Sequence, residues 1–313
     1  MKTRSRVVAC WCAAIALLAA PLLHAQTLAT AQVQDTLASY VRFLYGLGPS
    51  IQVRIVETGP SLVRGYSQVV VSTSYPSGFQ ENLVFQVSAD RKVVIPGEAF
   101  EFGGNPFSRT LQQLTRDQKS CFGPPNAAVV LDSFGDFQCS YCKQEVTALL
   151  DEIMPKYPSA VRVCLHDAPL AAFHDWSRPA ALAGWCIRRQ SASAFQSYAK
   201  WIYNRQEKIT KDNFEAELAG FASQARIDGD ALHACTVGEA ARAELAKSEE
   251  QADKLRISTR PALFVNGRRL TDLSPPALLA MIDYELGIDG SPAKDCGCSI
   301  PGALPHPEKK ERQ

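Results

Sequence analysis

Hydrophobic and polar positions change period several times along this chain. Val33, Leu37, Tyr40, Val41 and Leu44 recur at helical spacing, which predicts an amphipathic helix over 27–48. From Ile51 the period drops to two. Ile51, Val53 and Ile55 alternate with polar residues, as do Val69 and Val71. Leu83 to Val87 opens another run, and Val93 to Ile95 follows the turn residues Asp90-Arg91. This predicts short antiparallel strands beside one helix, a small α+β domain over 27–105. A polar stretch with Gly103-Gly104, Leu111, Leu114 and Pro124-Pro125 then reads as a partly helical linker over 106–125.

The second pattern, over 126–290, begins with a buried-type strand from Ala127 to Leu131. A helix follows, with Val146, Leu149, Leu150 and Ile153 on one face and Pro155 and Pro158 at its end. Val161, Val163 and Leu165 alternate as the next strand. A helical block comes next, an insertion over about 168–256, with Phe195, Tyr198, Ile202, Phe214, Leu218 and Phe221 marking inward faces. Ala262 to Val265 is a third strand, and Asn266-Gly267 predicts a hairpin turn. Ser274-Pro275 opens a last helix as N-cap and first helical residue. The tail, 291–313, is rich in proline and charge and is expected to lack structure.

The first 25 residues have a different character. Lys2, Arg4 and Arg6 precede an apolar run from Val7 to Ala20, and Leu23-His24-Ala25 is a small-residue ending. That is the layout of a secretory signal peptide, 1–25, too short for a spanning helix. It implies export and, for a bacterial chain, a periplasmic location. The chain has 33 Lys+Arg against 32 Asp+Glu. Since the three basic leader residues leave on cleavage, the balance turns slightly negative, which gives no signal for nucleic acid. Of ten cysteines, Cys10 and Cys12 leave with the leader. Cys121, Cys139, Cys142, Cys164, Cys186, Cys235, Cys296 and Cys298 remain, an even set that suits disulfides in an exported protein.

Cys139 and Cys142 stand apart because a strand leads into them and a helix starts at them. Free N–H groups and the positive end of a helix favour a thiolate at Cys139. Cys142, one turn further in, is placed to close or resolve a disulfide. A lone C-x-x-C is also half of a zinc site, which needs a second ligand pair. The only other close pair, Cys296-Gly297-Cys298, has the wrong spacing, so no metal is assigned. His166, Asp167 and His174 have no spacing that would make them hydrolytic partners of Cys139.

The segment Phe134-Gly135-Asp136-Phe137-Gln138-Cys139-Ser140-Tyr141-Cys142 resembles the active-site segment of the DsbA-like and DsbC/DsbG-like branch of the thioredoxin superfamily. Thr259-Arg260-Pro261-Ala262-Leu263-Phe264-Val265-Asn266-Gly267 resembles that branch's cis-proline loop. The resemblance covers about 120–288. It implies an α/β thioredoxin fold with a helical insertion, a cis bond before Pro261, and a substrate-binding role for Arg260 and Pro261 beside the dithiol. The region 30–105 is similar to the dimerisation domain of DsbC/DsbG-type isomerases, which implies a V-shaped homodimer with Leu83 to Val87 as the pairing edge; a solvated α+β domain that takes no part in pairing is the alternative. Two positions depart from the pattern. Relatives carry an acidic residue six positions before the first cysteine; here Ser133 stands there and Asp132 precedes it. Either Asp132 is no relay or the strand register is shifted. Arg260 stands where Thr or Val is usual, and its guanidinium either approaches Cys139 and lowers its pKa or lies solvated at the rim.

The resemblance implies an exported protein thiol-disulfide oxidoreductase, with the oxidase direction favoured and no cofactor. Its partners are cysteine-containing exported proteins and a membrane or periplasmic redox partner. A dimeric isomerase or reductase, and a non-catalytic substrate-holding chaperone, are the alternatives. Cys186 and Cys235 are expected to form a structural disulfide, with two buried thiols as the alternative. Cys164 reads as a buried small hydrophobe. Cys121 has a tail cysteine as a candidate partner, and Cys296 with Cys298 is a candidate second redox pair.

Overall fold

The computed structural model describes residues 36–77, 79–101 and 105–288. The leader, Gly103-Gly104 and the tail with Cys296 and Cys298 lie outside the described residues. The chain divides between Phe100 and Glu101 into two compact units.

In the first unit helix α1 covers 36–44 among the described residues. It stops short of the predicted 48 because Gly46, at φ +61°, takes the left-handed setting that ends helices. Strands β1 (Gln52–Pro60), β2 (Tyr66–Ser74), β3 (Gln80–Ser88) and β4 (Val94–Pro96) form one antiparallel sheet in sequence order. Val41 of α1 packs with Val69, Val71 and Phe85 in a small core. One apolar helix stripe and one apolar sheet face leave water together. Leu83 to Val87 is not the free edge expected: β4 pairs with Phe85, Gln86 and Val87, and the sheet edges are β1 and β4.

The second unit contains α2 (Ser108–Gln113), β5 (Cys121–Phe122), β6 (Val129–Gly135) and α3 (Ser140–Thr147). Helix α3 runs through a π-helical stretch, Ala148–Ile153, into α4 (Met154–Lys156). Then come β7 (Val161–Asp167), α5 (Ser177–Gln190), α6 (Ala192–Asn204), α7 (Phe214–Ala225), α8 (Gly229–Thr236) and α9 (Glu239–Lys254). The unit closes with β8 (Ala262–Val265), β9 (Arg268–Arg269) and α10 (Pro275–Leu286). The sheet order is β5-β7-β6-β8-β9, with β6 parallel to β7 and antiparallel to β8. A parallel pair needs a crossover, and α3 supplies it. Strand β6 is central and covered on both faces. Leu131 packs with Val146, Leu149 and Val163, whereas Phe134 packs with Leu114, Ala252 and Phe264. Double coverage explains why its start is a continuous apolar run and not an alternation. The expected α/β fold with a helical insertion is the fold observed.

The stretch expected as a linker is instead built into this unit. Arg116 donates from Nε and Nη2 to the two carboxylate oxygens of Asp132, both at 2.7 Å. Strand β5 pairs with β7 so that Cys121 stands directly opposite Cys164. The two are disulfide-bonded, with Cα atoms 4.0 Å apart, so Cys164 is not the free buried thiol the alternation suggested, and Cys121 takes no tail partner. A two-residue strand is too short for hydrophobic period to signal, which is why the pairing was hidden. Cys186 of α5 is bonded to Cys235 of α8, Cα atoms 5.9 Å apart.

Candidate active site

Strand β6 ends at Gly135, and Asp136-Phe137-Gln138 carries the chain into Cys139, the N-cap of α3. A side chain at Gly135 would begin 3.8 Å from Cys142 Sγ and 3.4 Å from Tyr203 Oη. Those are ordinary contact distances, so the start of α3 lies directly over this end of the strand. Three side chains fix the loop. Asp136 accepts from the backbone N–H of Gln138 (2.7 Å) and of Leu170 (2.6 Å), and its Oδ2 lies 2.9 Å from His174 Nδ1. Gln138 donates to Asp175 and accepts from the Trp176 N–H. Gln206, just past α6, donates to the carbonyls of Phe137 (2.7 Å) and Cys139 (3.0 Å).

Cys139 caps the helix with sulfur: its Sγ accepts from the Cys142 N–H at 3.4 Å. Its pKa is lowered to about 6, mainly by the hydrogen bond from the Cys142 thiol, helped by the backbone N–H groups of Cys142 and Tyr141. Burial and the charge of Asp136 oppose the shift. At neutral pH Cys139 is largely thiolate, the nucleophilic form. Cys142 is fully buried, and burial first, then Cys139, pushes its pKa far up. Both are free thiols, with Cys139 6 % exposed. One sulfur is poised to attack; the other is held protonated behind it. Between them Tyr141 projects, 69 % exposed.

The opposite wall is the Arg260-Pro261 bond, which is cis. The carbonyl oxygen of Arg260 lies 3.8 Å from Cys139 Sγ. The guanidinium points elsewhere: Nε donates to Ala168 O (2.9 Å) and Nη1 to Ile257 O (2.8 Å). It is neither the thiolate partner nor the solvated arginine weighed above. Its Nε and Nη1 donors go to backbone carbonyls, and it does not figure among the causes of the Cys139 shift, although its charge interacts with Cys142 and Asp136.

The Asp132 question resolves by strand alternation. Asp132 sits on the face away from α3, paired with Arg116 and with His166 Nε2 at 3.0 Å. Ser133 faces α3, where its hydroxyl donates to Glu145 Oε2 at 3.0 Å. His166 and His174 are engaged by Asp132 and Asp136. Asp136, Gln206 and Glu145 escaped the sequence reading. Gln206 has no local signal, being 67 residues from the Cys139 carbonyl it holds. Glu145 did have one, since i, i+3 spacing from Cys142 puts it on the same helix face.

Fold and site together define a thioredoxin-fold protein with a helix-capping thiolate, a buried second thiol and a cis-proline wall. A family model described as Thioredoxin matches residues 115–284, and the chain belongs to that family. The Na(+)/H(+) antiporter NhaA 3 of Salinispora tropica is 28% identical over 211 residues, 67% of this chain but 31% of its own length. The chain thus spans about a third of that relative. The probable disulfide bond formation protein D of Bacillus anthracis is 24% identical over 207 residues, 65% of this chain and 88% of that one. Among solved structures, Wolbachia pipientis alpha-DsbA1 superposes with a TM-score of 0.50 at 16% identity, covering 57% of this chain and 96% of the other. That likeness is one of fold. Among the described residues no helix is long and apolar enough to cross a membrane.

Proposed function

We propose that this chain is a protein-disulfide oxidoreductase that works in the periplasm on cysteines of other exported proteins, in the oxidising direction. The observation that carries the reading is Cys139, a thiolate at a helix N-terminus with a pKa of about 6, backed by a buried thiol and faced by the Arg260 carbonyl that precedes the cis proline. A substrate thiolate attacks Cys139 of the Cys139–Cys142 disulfide, and Cys142 leaves with the electron pair. A second substrate thiol then attacks the mixed disulfide at the substrate sulfur, and Cys139 leaves as a thiolate. Stabilising the Cys139 thiolate stabilises the reduced enzyme and makes its disulfide the stronger oxidant. The exposed Tyr141 and the Arg260 carbonyl beside Cys139 suit an extended peptide as substrate. The leader pattern of 1–25 and the two cross-links, Cys121–Cys164 and Cys186–Cys235, support export to an oxidising compartment. A membrane or periplasmic redox partner resets the dithiol, and the first unit pairs two copies of the chain.

One observation favours the reducing or isomerising direction. A thiol pKa of about 6 lies nearer to the ~7 of thioredoxin than to the ~3.5 of DsbA. The test is the reduction potential of the Cys139–Cys142 pair in glutathione buffers, followed by mass of the active-site peptide. A value near about −120 mV supports the oxidase; one well below about −200 mV makes the enzyme a reductase or isomerase. The Cys139→Ala variant tests catalysis itself. If it still exchanges disulfides, the enzyme reading fails. If it loses exchange but still suppresses client aggregation, a separable holding activity is present.

A further inference from the structure

Helix α3 sets two residues over two positions of β6. Cys142 lies over Gly135, and Glu145, one helical turn on, lies over Ser133. Ser133 and Gly135 share a strand face because they are two apart. A carboxyl group is therefore buried on the same rung ladder as the resolving thiol. Glu145 is buried, Ser133 satisfies Oε2 at 3.0 Å, and Oε1 has no partner. Among the described residues only Gln86, in the other unit, also has a buried side-chain oxygen or nitrogen left so. An unpaired buried oxygen is costly, and its persistence calls for a reason.

The other ionisable groups nearby are already committed. Asp136 accepts from Gln138, Leu170 and His174; Asp167 is paired with Arg188; His166 is paired with Asp132. Tyr203 is buried against the same groups, and the charge of Cys139 acts on Glu145. Ser133, Gly135, Phe137 and Tyr203 help line a cavity of about 10 Å³, the scale of one water. Glu145 alone combines a free oxygen, burial and the helix face of Cys142.

We propose that Glu145, held by Ser133, takes and returns the proton of the resolving thiol Cys142. This rests on the exchange function proposed above. When Cys142 resolves a mixed disulfide, its thiol gives its proton to the Glu145 carboxylate. The resulting thiolate attacks Cys139 Sγ, the bond from Cys139 to the substrate sulfur breaks, and the substrate leaves as a thiolate that takes a proton from solvent. In reverse, Cys142 leaves as a thiolate and receives the proton of the Glu145 carboxyl. A group that both gives and takes must titrate near working pH. Burial, with the Cys139 charge adding and Ser133 opposing, raises the Glu145 pKa to about 8.

The experiment mixes reduced full-length protein with oxidised glutathione, quenches with acid and follows the Cys139–glutathione adduct by mass across pH 5 to 10. In Glu145→Gln, which keeps shape and the Ser133 contact, adduct formation should change less than about twofold. Adduct resolution should slow at least about tenfold at pH 7 and lose the wild-type inflection near pH 8. The double variant Ser133→Asp with Glu145→Gln returns an acid to the space and should regain much of the rate. Resolution within twofold of wild type, an unchanged pH profile, or no recovery in the double variant would overturn the relay. Infrared difference spectra of the wild type, oxidised minus reduced, test it without any variant: a protonated-carboxyl band insensitive to closure of the disulfide has the same consequence. If no adduct forms even in the wild type, the oxidoreductase reading fails and the relay falls with it.

Discussion

The carbonyl oxygen of Arg260 lies 3.8 Å from Cys139 Sγ across 121 residues of sequence, while the side chain of Arg260 turns away to Ala168 and Ile257. One residue thus sets its carbonyl against Cys139 and its side-chain donors on the scaffold, with its charge felt by Cys142 but not by Cys139. Arg260→Thr is therefore expected to leave the Cys139 titration unmoved. It should lower stability by roughly 1–3 kcal/mol, the cost of two carbonyls losing charged donors. Thiolate absorbance against pH and urea unfolding read the two effects. A raised Cys139 midpoint in the variant would restore the guanidinium to an electrostatic role.

Cys139 should titrate with a midpoint near pH 6 in the reduced protein. Cys142→Ala should raise that midpoint, because the Cys142 thiol is the largest cause of the depression. The stability consequence has a definite sign. A thiol whose pKa is about 6 folded and 9.0 unfolded holds fewer protons in the native state between those values. The reduced protein therefore gains stability as pH rises from about 6 to 9, and loses it as pH falls. The oxidised protein has no such term. Melting of both forms across this range measures the difference, which should widen with pH.

Glu145 acts the other way. Its pKa is about 8 folded against 4.5 for an ordinary glutamate, so the native state holds the extra proton between them. That contribution is intact below pH 4.5 and is lost as pH rises to about 8. Glu145→Gln removes the dependence. The variant should gain on the wild type in melting temperature from pH 5 to 8, by several degrees if burial is retained. A constant gap across that range would mean that Glu145 is ionised in the native protein.

The fold class was legible because its carriers are local: an apolar strand running into C-x-x-C, a helix with its apolar stripe, and Pro261 before a third strand. What stayed hidden depends on how distant elements meet. Cys121 finds Cys164 only because a two-residue strand lies antiparallel to β7. Gln206 reaches the active-site loop only because α6 ends beside it. Ser133 looked like a missing acid because the acid stands on α3, and only the packing of that helix on β6 brings Glu145 to it. Asp132 looked like its substitute until alternation put it on the other face, against Arg116.

The two cross-links should prove inert to exchange and separable in effect. Cys121–Cys164 spans 43 residues and ties β5 to the strand beside β6; Cys186–Cys235 spans 49 and ties α5 to α8 within the helical block. Loop closure depends only weakly on length, so the two should stabilise by similar amounts, roughly 2–4 kcal/mol each. Replacing either pair by alanine should lower the urea midpoint by comparable steps. The two losses should add if the sheet and the helical block unfold as one unit. Under mild glutathione, alkylation followed by mass should label Cys139 and Cys142 and leave these four cysteines unlabelled. Labelling of Cys121 or Cys164 at the same potential would mean that the bond beside the central strand is itself exchangeable, and the site would have to be redrawn to include it.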